Sequence, residues 1–600
     1  MTFARAVLAL AASALALLAQ DTRTVTEPAF PPVCAVLSAQ LIAGATGLPA
    51  GSETQFDTGR IQNALNGCAA GNAVELAAGG PNNAFLVGPI TLPKGVTLLV
   101  DAGVTVFASR NPHDYDLSPS ANVCGTITAN GGACMPLITA NHADGAGIMG
   151  YGTIDGRGYL PMLVNGASSG TSWWDLARQA QAVSQNQNNP RMLQVNNTNG
   201  FTLYKITLRN SPFFHVALGT DTNFTAWGVK IITPYDARNT DGIDPGYSSN
   251  VTITECHISD GDDQVAVGGN NPPGATNISV ANNFFGSGHG ASIGSYTQNG
   301  VSNLLVDHIV FAGDSADSSS TGLRIKSDVS RGGLVQNITY SNICMQNVRA
   351  PIVLDPFYTA GATGTLIPRY QNITMRNVNS TTEGTVKIEG HDASVPTTIT
   401  LDNVQVSGIK SSDITEQYAT YTLGPGPVNF APLLKGTGVN VVNNVSNQDP
   451  PYSCPASVFS PIAGELIPGA RELAAHESLA VTVQVFPTKA VPYQTYLNNL
   501  QTNPSATLNL TAPTGTVTIY DGPIAVGSAS LGASQLLSVP IAGLAPGPHT
   551  LTASYSGDGT YSPITFGSYT LSVCAPYAGR GGIERNRPVC AEPRRIEAGR

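Results

Sequence analysis

Charged side chains are scarce in this 600-residue chain, where Asp, Glu, Lys and Arg together make up 11% of the residues. The formal net charge at pH 7 is −10, so the chain lacks the basic surface that nucleic-acid-binding proteins use. An anionic ligand would have to be held by a few local cations. The sequence also lacks a C-x-x-C pair and a cluster of histidines, so it offers no usual metal-ligand spacing.

Long apolar runs are equally rare. The clearest one, residues 6–18, follows Arg5 and is followed by small residues, and it is too short to span a bilayer. This pattern predicts a signal peptide over residues 1–19 and therefore a secreted protein. Export permits disulfides. Proximity in the sequence suggests three pairs among the nine cysteines, namely Cys34 with Cys68, Cys124 with Cys134, and Cys574 with Cys590. Because nine is odd, we expect at least one thiol to stay free or to pair between chains.

A repeated pattern occupies the middle of the chain. Asn-x-Thr/Ser triplets, each followed by an apolar residue or Ala, begin at Asn223, Asn250, Asn277, Asn337 and Asn372, with weaker copies at Gly200 and Asn303. The steps between starts are 23, 27, 27, 26, 34 and 35 residues. Several short alternating strands in each unit predict a parallel β-helix with one coil per repeat. The triplets also match glycosylation acceptors, but their phase with the repeat favours a turn that enters a strand.

The regions on either side of the repeat differ from it. Residues 56–68 predict a short helix that caps the first coils, with Asp57 as N-cap and Ile61 and Leu65 on one face. A Pro-rich stretch follows the coils, and short alternating strands then predict an immunoglobulin-like (Ig-like) sandwich. The predicted organisation is a signal peptide 1–19, a β-helix domain 34–462, a linker 463–477, an Ig-like domain 478–574 and a tail 575–600.

Three aspartates crowd into the segment SDGDDQVAVGG, residues 259–269, directly before an apolar strand. Asp262 and Asp263 belong to one coil, Asp241 to the coil before, His289 to the coil after, and Arg324 and Lys326 to the next. Stacked coils lie about 4.8 Å apart, so these groups should form one patch on an outer face. A single Gly-Asp-Asp is more often a turn, and clustered aspartates can bind calcium. Four groups in four successive coils favour a catalytic site.

The patch has the groups needed to cleave a glycosidic bond in an acidic sugar. One carboxyl group must be protonated to deliver a proton to the leaving oxygen, and another must be ionised to activate water. Crowded like charges raise the pKa of one member and so supply the protonated partner. Arg324 and Lys326 could bind the sugar carboxylate.

Four motifs make a family resemblance plain. Asn239-Thr-Asp-Gly242, Gly261-Asp-Asp263, Gly288-His-Gly290 and Arg324-Ile-Lys326 resemble the signature motifs of the polygalacturonases of glycoside hydrolase family 28, especially the bacterial endo-acting members. The resemblance covers about residues 34–454. One departure is Gln264, where many members have Cys, and we expect it to leave the chemistry unchanged. The region after residue 478 is similar to bacterial Ig-like repeats.

The resemblance implies a right-handed parallel β-helix and hydrolysis of α-1,4-galacturonan with inversion. It implies that Asp262 is the general acid, that Asp241 and Asp263 activate water, and that His289 tunes the acid. It also implies that Arg324, Lys326, Tyr358 and Asn239 contact the substrate, and that no metal or other cofactor is needed. We expect a monomer whose partner is pectin. The alternatives are an exo-acting relative, a calcium-dependent pectate lyase, and a non-catalytic β-helix that binds polysaccharide. Since all four motifs precede residue 327, we also expect a chain ending near Ser460 to stay active.

Overall fold

The computed structural model describes residues 20–44, 46–118, 121–443, 448–467, 472–474, 479–503, 505–508, 512–532 and 535–574. The predicted signal peptide and tail, and the predicted pairing of Cys574 with Cys590, lie outside these residues. The chain divides into two units. The first comprises Met1–Phe459 and Lys489–Leu508, and the second Ser460–Thr488 and Asn509–Arg600. None of the helices in the described ranges is long and apolar enough to cross a membrane.

The first unit is built from two extended sheets of short strands. The larger one, here the long sheet, contains Val33–Ser38, Ala73–Ala77, Ala84–Val87, Thr97–Val100, Thr105–Ala108, Gly147–Met149, Thr153–Asp155, Thr202–Tyr204, Thr207–Arg209, Thr225–Trp227, Lys230–Ile232, Ser249–Thr254, His257–Ser259, Ala275–Phe285, Val301–Ala312, Leu334–Gln346, Arg369–Ser380, Thr397–Val406, Ala419–Leu423 and Asn440–Asn443. The other, the cleft sheet, contains Ile90–Thr91, Ile138–Asn141, Leu193–Asn196, Val216–Gly219, Ile243–Gly246, Val265–Val267, Ala291–Ile293, Thr321–Lys326, Ala350–Asp355, Val386–Glu389 and Ile414–Gln417. Neighbouring strands in both sheets are parallel.

The strand register confirms the predicted β-helix and its period. Ile253 pairs with Val280, and Val280 pairs with Val306, which reproduces the predicted steps of 27 and 26 residues. The series continues to Tyr340 and Met375. All five side chains are buried, so each coil adds one apolar layer to a continuous interior.

The repeated asparagines form a ladder on the outside of the coils. Asn277, Asn303, Asn337 and Asn372 all adopt positive φ angles between 52° and 58°, a conformation that Asn tolerates better than most residues. In each step of the ladder, the Nδ2 of one asparagine donates to the Oδ1 of the asparagine one coil earlier, at 2.7–3.1 Å. The structural interpretation of the triplets is therefore confirmed, because both the backbone and the amide are used by the fold.

Three α-helices accompany the strands in the described part of the chain. Helix α1, Thr58–Gly67, lies within the predicted range and buries Ile61 and Leu65 as expected. Asp57 is its N-cap residue, as predicted, but the Asp57 side chain does not cap the helix, because its carboxylate accepts from the Leu86 amide and from Arg60. Helix α2, Trp173–Ala182, was not predicted, although Ser172 and Asp175 form a capping box at its start. Helix α3, Tyr493–Thr502, belongs to the first unit.

The remaining short elements and the disulfides complete the first unit. Short 3₁₀ helices span Ala50–Ser52, Pro112–Tyr115, Ser411–Asp413, Ala431–Leu433 and Ala456–Phe459, and two small antiparallel pairs join Pro161–Val164 to Ala167–Ser172 and Ile127–Thr128 to Asn186–Gln187. The expected disulfides Cys34–Cys68 and Cys124–Cys134 are confirmed. A third, Cys344–Cys454, closes 110 residues and was not predicted, and Cys256 is buried and free.

The second unit consists of two mainly antiparallel sheets, as the Ig-like prediction requires. One contains Ile462–Ile467, Leu479–Pro487 and Leu536–Ile541, and the other Glu472–Ala474, Gly515–Asp521, Ile524–Leu531, Gly547–Tyr555 and Ile564–Cys574. Strand Ile462–Ile467 lies largely inside the predicted linker, because its alternating apolar residues pair with Leu479–Pro487. The domain limits stay predictions. A chain ending near Ser460 would also lack α3, so the expectation that it keeps full activity no longer follows from the fold.

Candidate active site

The four motifs lie on four consecutive strands of the cleft sheet. Ile243–Gly246, Val265–Val267, Ala291–Ile293 and Thr321–Lys326 are neighbours in that order. Asp241, Asp263 and His289 each precede the start of their strand by two residues, and Arg324 and Lys326 lie within the last strand. Equivalent positions of successive coils stack, so the structure brings the predicted residues together.

Asp262 is held between two donors. His289 Nδ1 lies 3.0 Å from Asp262 Oδ1, and Asn239 Nδ2 donates to Oδ2 at 3.1 Å. Burial alone would raise the pKa of this carboxyl group. The charge and hydrogen bond of His289 outweigh that effect and, helped by Lys326 and Arg324, hold the pKa of Asp262 below its ordinary value.

Asp263 is fully engaged by cations. Its Oδ1 accepts from Arg324 Nη2 at 2.8 Å and from Ser292 Oγ at 2.8 Å, while Oδ2 accepts from Lys326 Nζ at 2.7 Å. All three charged side chains are at least nine-tenths buried. Burial acts to lower the pKa of Lys326, but the charge of Asp263 leads to a net rise. The two predicted substrate-binding cations are therefore already ion-paired, a feature that the motifs alone did not reveal.

Asp241 has the opposite environment to Asp262. It is 6% exposed, and its Oδ1 has no hydrogen-bond partner in the part of the chain that the structure describes. Burial, followed by the negative charges of Asp262, Asp244 and Asp263, raises its pKa well above the ordinary value. The backbone of Asp241 is fixed by His215, whose buried Nδ1 lies 3.0 Å from the Asp241 carbonyl oxygen and 3.1 Å from that of Thr240.

Burial lowers the pKa of His215 to about 4, so this imidazole is neutral near neutral pH. Two carbonyl oxygens face its Nδ1, so Nδ1 carries the hydrogen and donates it. His215 therefore acts as a fixed support under Asp241 and does not contribute a charge to the cluster.

Asp260, the third aspartate of the crowded segment, is fully buried and lies behind the cleft. Its Oδ1 accepts from the Asp262 amide at 3.1 Å, and its Oδ2 lacks a partner among the described residues. Burial raises its pKa well above the ordinary value. The intervening Gly261 is required because a Cβ there would lie 1.9 Å from the Ala237 carbonyl oxygen. This close approach presses the turn before Asn239 against the turn that carries Asp262.

The cluster opens into a cleft of about 370 Å³ on the outer face of the cleft sheet. Of the predicted residues, Asn239, Asp241, Asp262, Asp263, Lys326 and Tyr358 line it, whereas His289 and Arg324 are not among its lining residues. Lys326 Nζ lies 5.2 Å from the ring centroid of Tyr358. Sequence reasoning missed other lining residues, namely Arg191, Gln194, Asp244, Tyr247 and Tyr296. Asp244 could have been found, because it lies on strand Ile243–Gly246, directly after the Asn239–Gly242 motif and three residues after Asp241.

The same cluster contains three side chains that could ligate a metal ion. One donor atom from each of Asp262, Asp263 and His289 lies within 4.8 Å of the others, which is close enough for shared coordination. Each carboxylate oxygen of the two aspartates, however, already faces a nitrogen donor. A divalent cation would have to displace the Arg324 and Lys326 charges. The donor set therefore fits an anion-binding acid–base site better than a calcium site.

The fold and the cluster together define a class of protein: a parallel β-helix that carries the acid and base groups for splitting a glycosidic bond. Comparison with known proteins gives the family. The chain belongs to glycosyl hydrolases family 28, whose profile matches residues 68–422. A bacterial Ig-like domain (group 3) profile matches residues 488–574.

Curated relatives match most of the first unit. An endo-polygalacturonase of Pectobacterium carotovorum subsp. carotovorum is 42% identical over 406 residues, which cover 68% of this chain and 93% of the relative. A polygalacturonase of Ralstonia solanacearum is 40% identical over 488 residues, covering 71% and 91%. Among solved structures, a polygalacturonase from Erwinia carotovora ssp. carotovora is 41% identical with a TM-score of 0.60, covering 67% of this chain and all of that one.

The burial of Asp260 generates a stability prediction. Because its pKa is raised in the folded state, the stability that this group contributes is present at acid pH and is lost as pH rises through the folded pKa. Asp260→Asn should keep the bond to the Asp262 amide and remove the buried charge. We expect the variant to be more stable than the wild type near neutral pH, by about 1–3 kcal/mol, and equal to it at low pH.

Urea unfolding followed by tryptophan fluorescence would measure this difference, since all three tryptophans lie in the first unit. Asp144→Asn is a suitable control, because Asp144 is a partly exposed residue that pairs with Lys94. An Asp260→Asn variant that is less stable than the wild type near neutral pH and equal to it at low pH would show that the carboxylate is needed in its ionised form.

Proposed function

We propose that the protein is a secreted hydrolase that cleaves the α-1,4-galacturonosidic bonds of polygalacturonate with inversion, mainly at internal positions. The observation that carries this proposal is the unequal treatment of three neighbouring carboxyl groups. Asp262 is bonded to His289, Asp263 is ion-paired with two cations, and Asp241 is buried with an Oδ1 that has no hydrogen-bond partner among the described residues. The names of the relatives supply the substrate class, and the predicted signal peptide supports secretion.

In this mechanism Asp262 donates a proton to the leaving glycosidic oxygen. Asp241 and Asp262 repel each other when both are ionised, so these two carboxyl groups share one proton as a pair. In the free protein the proton resides on Asp241, while His289, Lys326 and Arg324 keep Asp262 ionised. A galacturonate carboxylate at Lys326 would offset part of this positive field. Asp262 depends more than Asp241 on this positive field to stay ionised. Once the field is weaker, the proton is therefore better held by Asp262.

Asp241 and Asp263 would activate the attacking water. Asp263 is held in a fixed position by its ion pairs with Arg324 and Lys326. Asp241 becomes the base once its proton has been transferred within the cluster, and its unpartnered Oδ1 is free to accept from water. A separate acid and base pair on two sides of the bond is the arrangement of an inverting glycosidase.

Lys326 and Tyr358 would bind the sugar ring and its carboxylate at the cleft surface. Lys326 faces both the cleft and Asp263, so substrate binding shares this ammonium group between two carboxylates. Tyr358 is 45% exposed and offers an apolar ring face for stacking. Arg324 is not among the residues that line the cleft and orients Asp263, so its contribution to substrate binding would be indirect.

Internal cleavage requires a cleft that is open at both ends. The coils from Asn239 to Lys326 have no long insertion, and the segment 109–189 folds as α2, a hairpin and short strands. The endo-acting relative favours the same mode. An exo-acting hydrolase is the second candidate, because sequence motifs at the bond-breaking centre are shared between the two modes.

Product analysis on polygalacturonate tests the proposal. We expect the first product to have the inverted β configuration by proton NMR and the viscosity to fall steeply while few reducing ends have formed. A chelator should leave the rate unchanged. A product with α configuration would rule out inversion, and monomer or dimer as sole early product would indicate exo action. An ultraviolet-absorbing product whose formation a chelator blocks would identify a lyase. The absence of any product would favour a non-catalytic β-helix that binds polysaccharide.

Asp262→Asn isolates the general acid. Asn keeps the size and the contact to Asn239 or His289 but cannot donate a proton with carboxylic acidity, so kcat should fall by about 10²-fold or more. Oligogalacturonate binding, measured by calorimetry, should persist because Lys326 and Tyr358 are intact. A kcat near that of the wild type would refute the assignment.

A further inference from the structure

Helix α3 has an unexpected position. Its residues fall within the segment 488–574 that matches the bacterial Ig-like profile, yet Lys489–Leu508 belongs to the first unit. Tyr493 is fully buried and Tyr496 is 5% exposed, and both are part of the β-helix core cluster. The helix is therefore a component of the unit that contains the cleft.

Tyr493 joins α3 to the start of α2. Its hydroxyl lies 2.8 Å from Ser172 Oγ and donates to Asp175 Oδ1 at 3.1 Å, so it contacts both members of the capping box. The Tyr493 ring packs edge-on against Trp174 at a centroid distance of 5.0 Å. The Arg178 guanidinium lies over the Tyr493 ring, 4.6 Å from the ring centroid. These contacts fix α3 against α2 on the side of the cleft sheet.

Asp236 joins α3 to the catalytic strands. Its two carboxylate oxygens accept from the first two amides of α3, those of Tyr493 and Gln494, which otherwise lack a partner at a helix start. Arg178 Nη2 also donates to Asp236 Oδ2 at 3.1 Å. Negative charge at a helix N-terminus is stabilising. Asp236 therefore closes a link between α2, α3 and the turn 234–238.

That turn leads directly to Asn239, which donates to the candidate acid Asp262. Its Ala237 carbonyl oxygen contacts Gly261 and accepts from Thr240 Oγ1 at 2.7 Å. Further along, the amide of Asn239 bridges Gln187 and Asp262, accepting from Gln187 Nε2 and donating to Asp262 Oδ2, each at 3.1 Å. Asp236 is thus three residues from the group that donates to Asp262.

We infer that α3 is a clasp that positions Asn239 against Asp262, with Asp236 as the positioning residue. Helix α3, which follows the first strands of the second unit in the sequence, would thereby complete the cleft of the first unit. Asn239 stabilises the ionised form of Asp262 through its hydrogen bond, so loosening the turn should favour the protonated form of that carboxyl group. The activity readout of this inference rests on the proposed hydrolase function, whereas its structural readout does not.

Besides the hydrogen bond from Asn239, several charged groups set the protonation of Asp262. The positive ones are His289, Lys326, Arg324 and Arg238, and the negative ones are Asp241, Asp244, Asp260 and Asp263. Asp236 acts on Asp262 only through the position of the turn. A variant that leaves these groups in place and releases the turn should therefore change the pH dependence in one direction.

The test compares full-length Asp236→Asn with two controls. Asp144→Asn removes a similar carboxylate that accepts from Lys94 and from the Asn199 amide on another part of the surface. Asn498→Ala alters an exposed residue on α3 itself, whose side chain accepts a hydrogen bond from Gln494 Nε2. Hydrogen exchange of the peptide that covers residues 234–241 is measured first, and the pH profile of kcat on polygalacturonate second.

We expect Asp236→Asn to speed amide exchange in 234–241, to lower kcat on the order of tenfold with a smaller change in KM, and to move the alkaline limb of the profile to higher pH. Both controls should match the wild type. Faster exchange with an unmoved limb would show that the clasp supports the turn without positioning Asn239, and unchanged exchange would overturn the inference entirely. A wild-type protein without activity would refute the proposed function, while the exchange result would still decide whether α3 holds the turn.

Discussion

The ion-pair network around Asp263 is the interaction on which the cleft depends. One carboxylate draws together Arg324 and Lys326, which are 61 and 63 residues away in the sequence. Burial and mutual repulsion raise the pKa of Asp241, whereas Lys326 and Arg324 help His289 to lower the pKa of Asp262. The two cations are paired with Asp263, and the positive field that they add acts unequally on Asp241 and Asp262. Catalytic asymmetry thus arises from where two cations are placed.

The solenoid makes this placement possible at low structural cost. Each coil contributes one or two groups at the same point of its cross-section, and the strand spacing of about 4.8 Å sets their separation. The interior apolar stack and the asparagine ladder fix the register of the coils, so a polar cluster can be buried on the outer face without support from a separate core. Gly261 allows two turns to approach to contact distance, and this brings Asn239 to Asp262.

Most of the fold followed from local patterns, and the parts that did not were set by distant contacts. The Asn-x-Thr/Ser triplets predicted the coils because each left-handed Asn occupies the same point of its coil, and the four motifs predicted one patch because the coils stack. The pairing of Arg324 and Lys326 with Asp263 could not be predicted, since the lengths of the turns decide which side chains face the cleft and which face one another. Cys344–Cys454 and the docking of Tyr493 on Ser172 join residues 110 and 321 apart, and no local pattern encodes such contacts.

The central claim is that the aspartates of the cluster differ in protonation before substrate binds. Infrared difference spectroscopy can test it, because a protonated carboxyl group has a C=O band that an ionised one lacks. Subtracting the spectrum of Asp241→Asn from that of the wild type near neutral pH should reveal the band of a protonated carboxyl group. The same subtraction with Asp262→Asn should reveal an ionised carboxylate instead. A protonated band that is lost in Asp262→Asn but kept in Asp241→Asn would contradict the account.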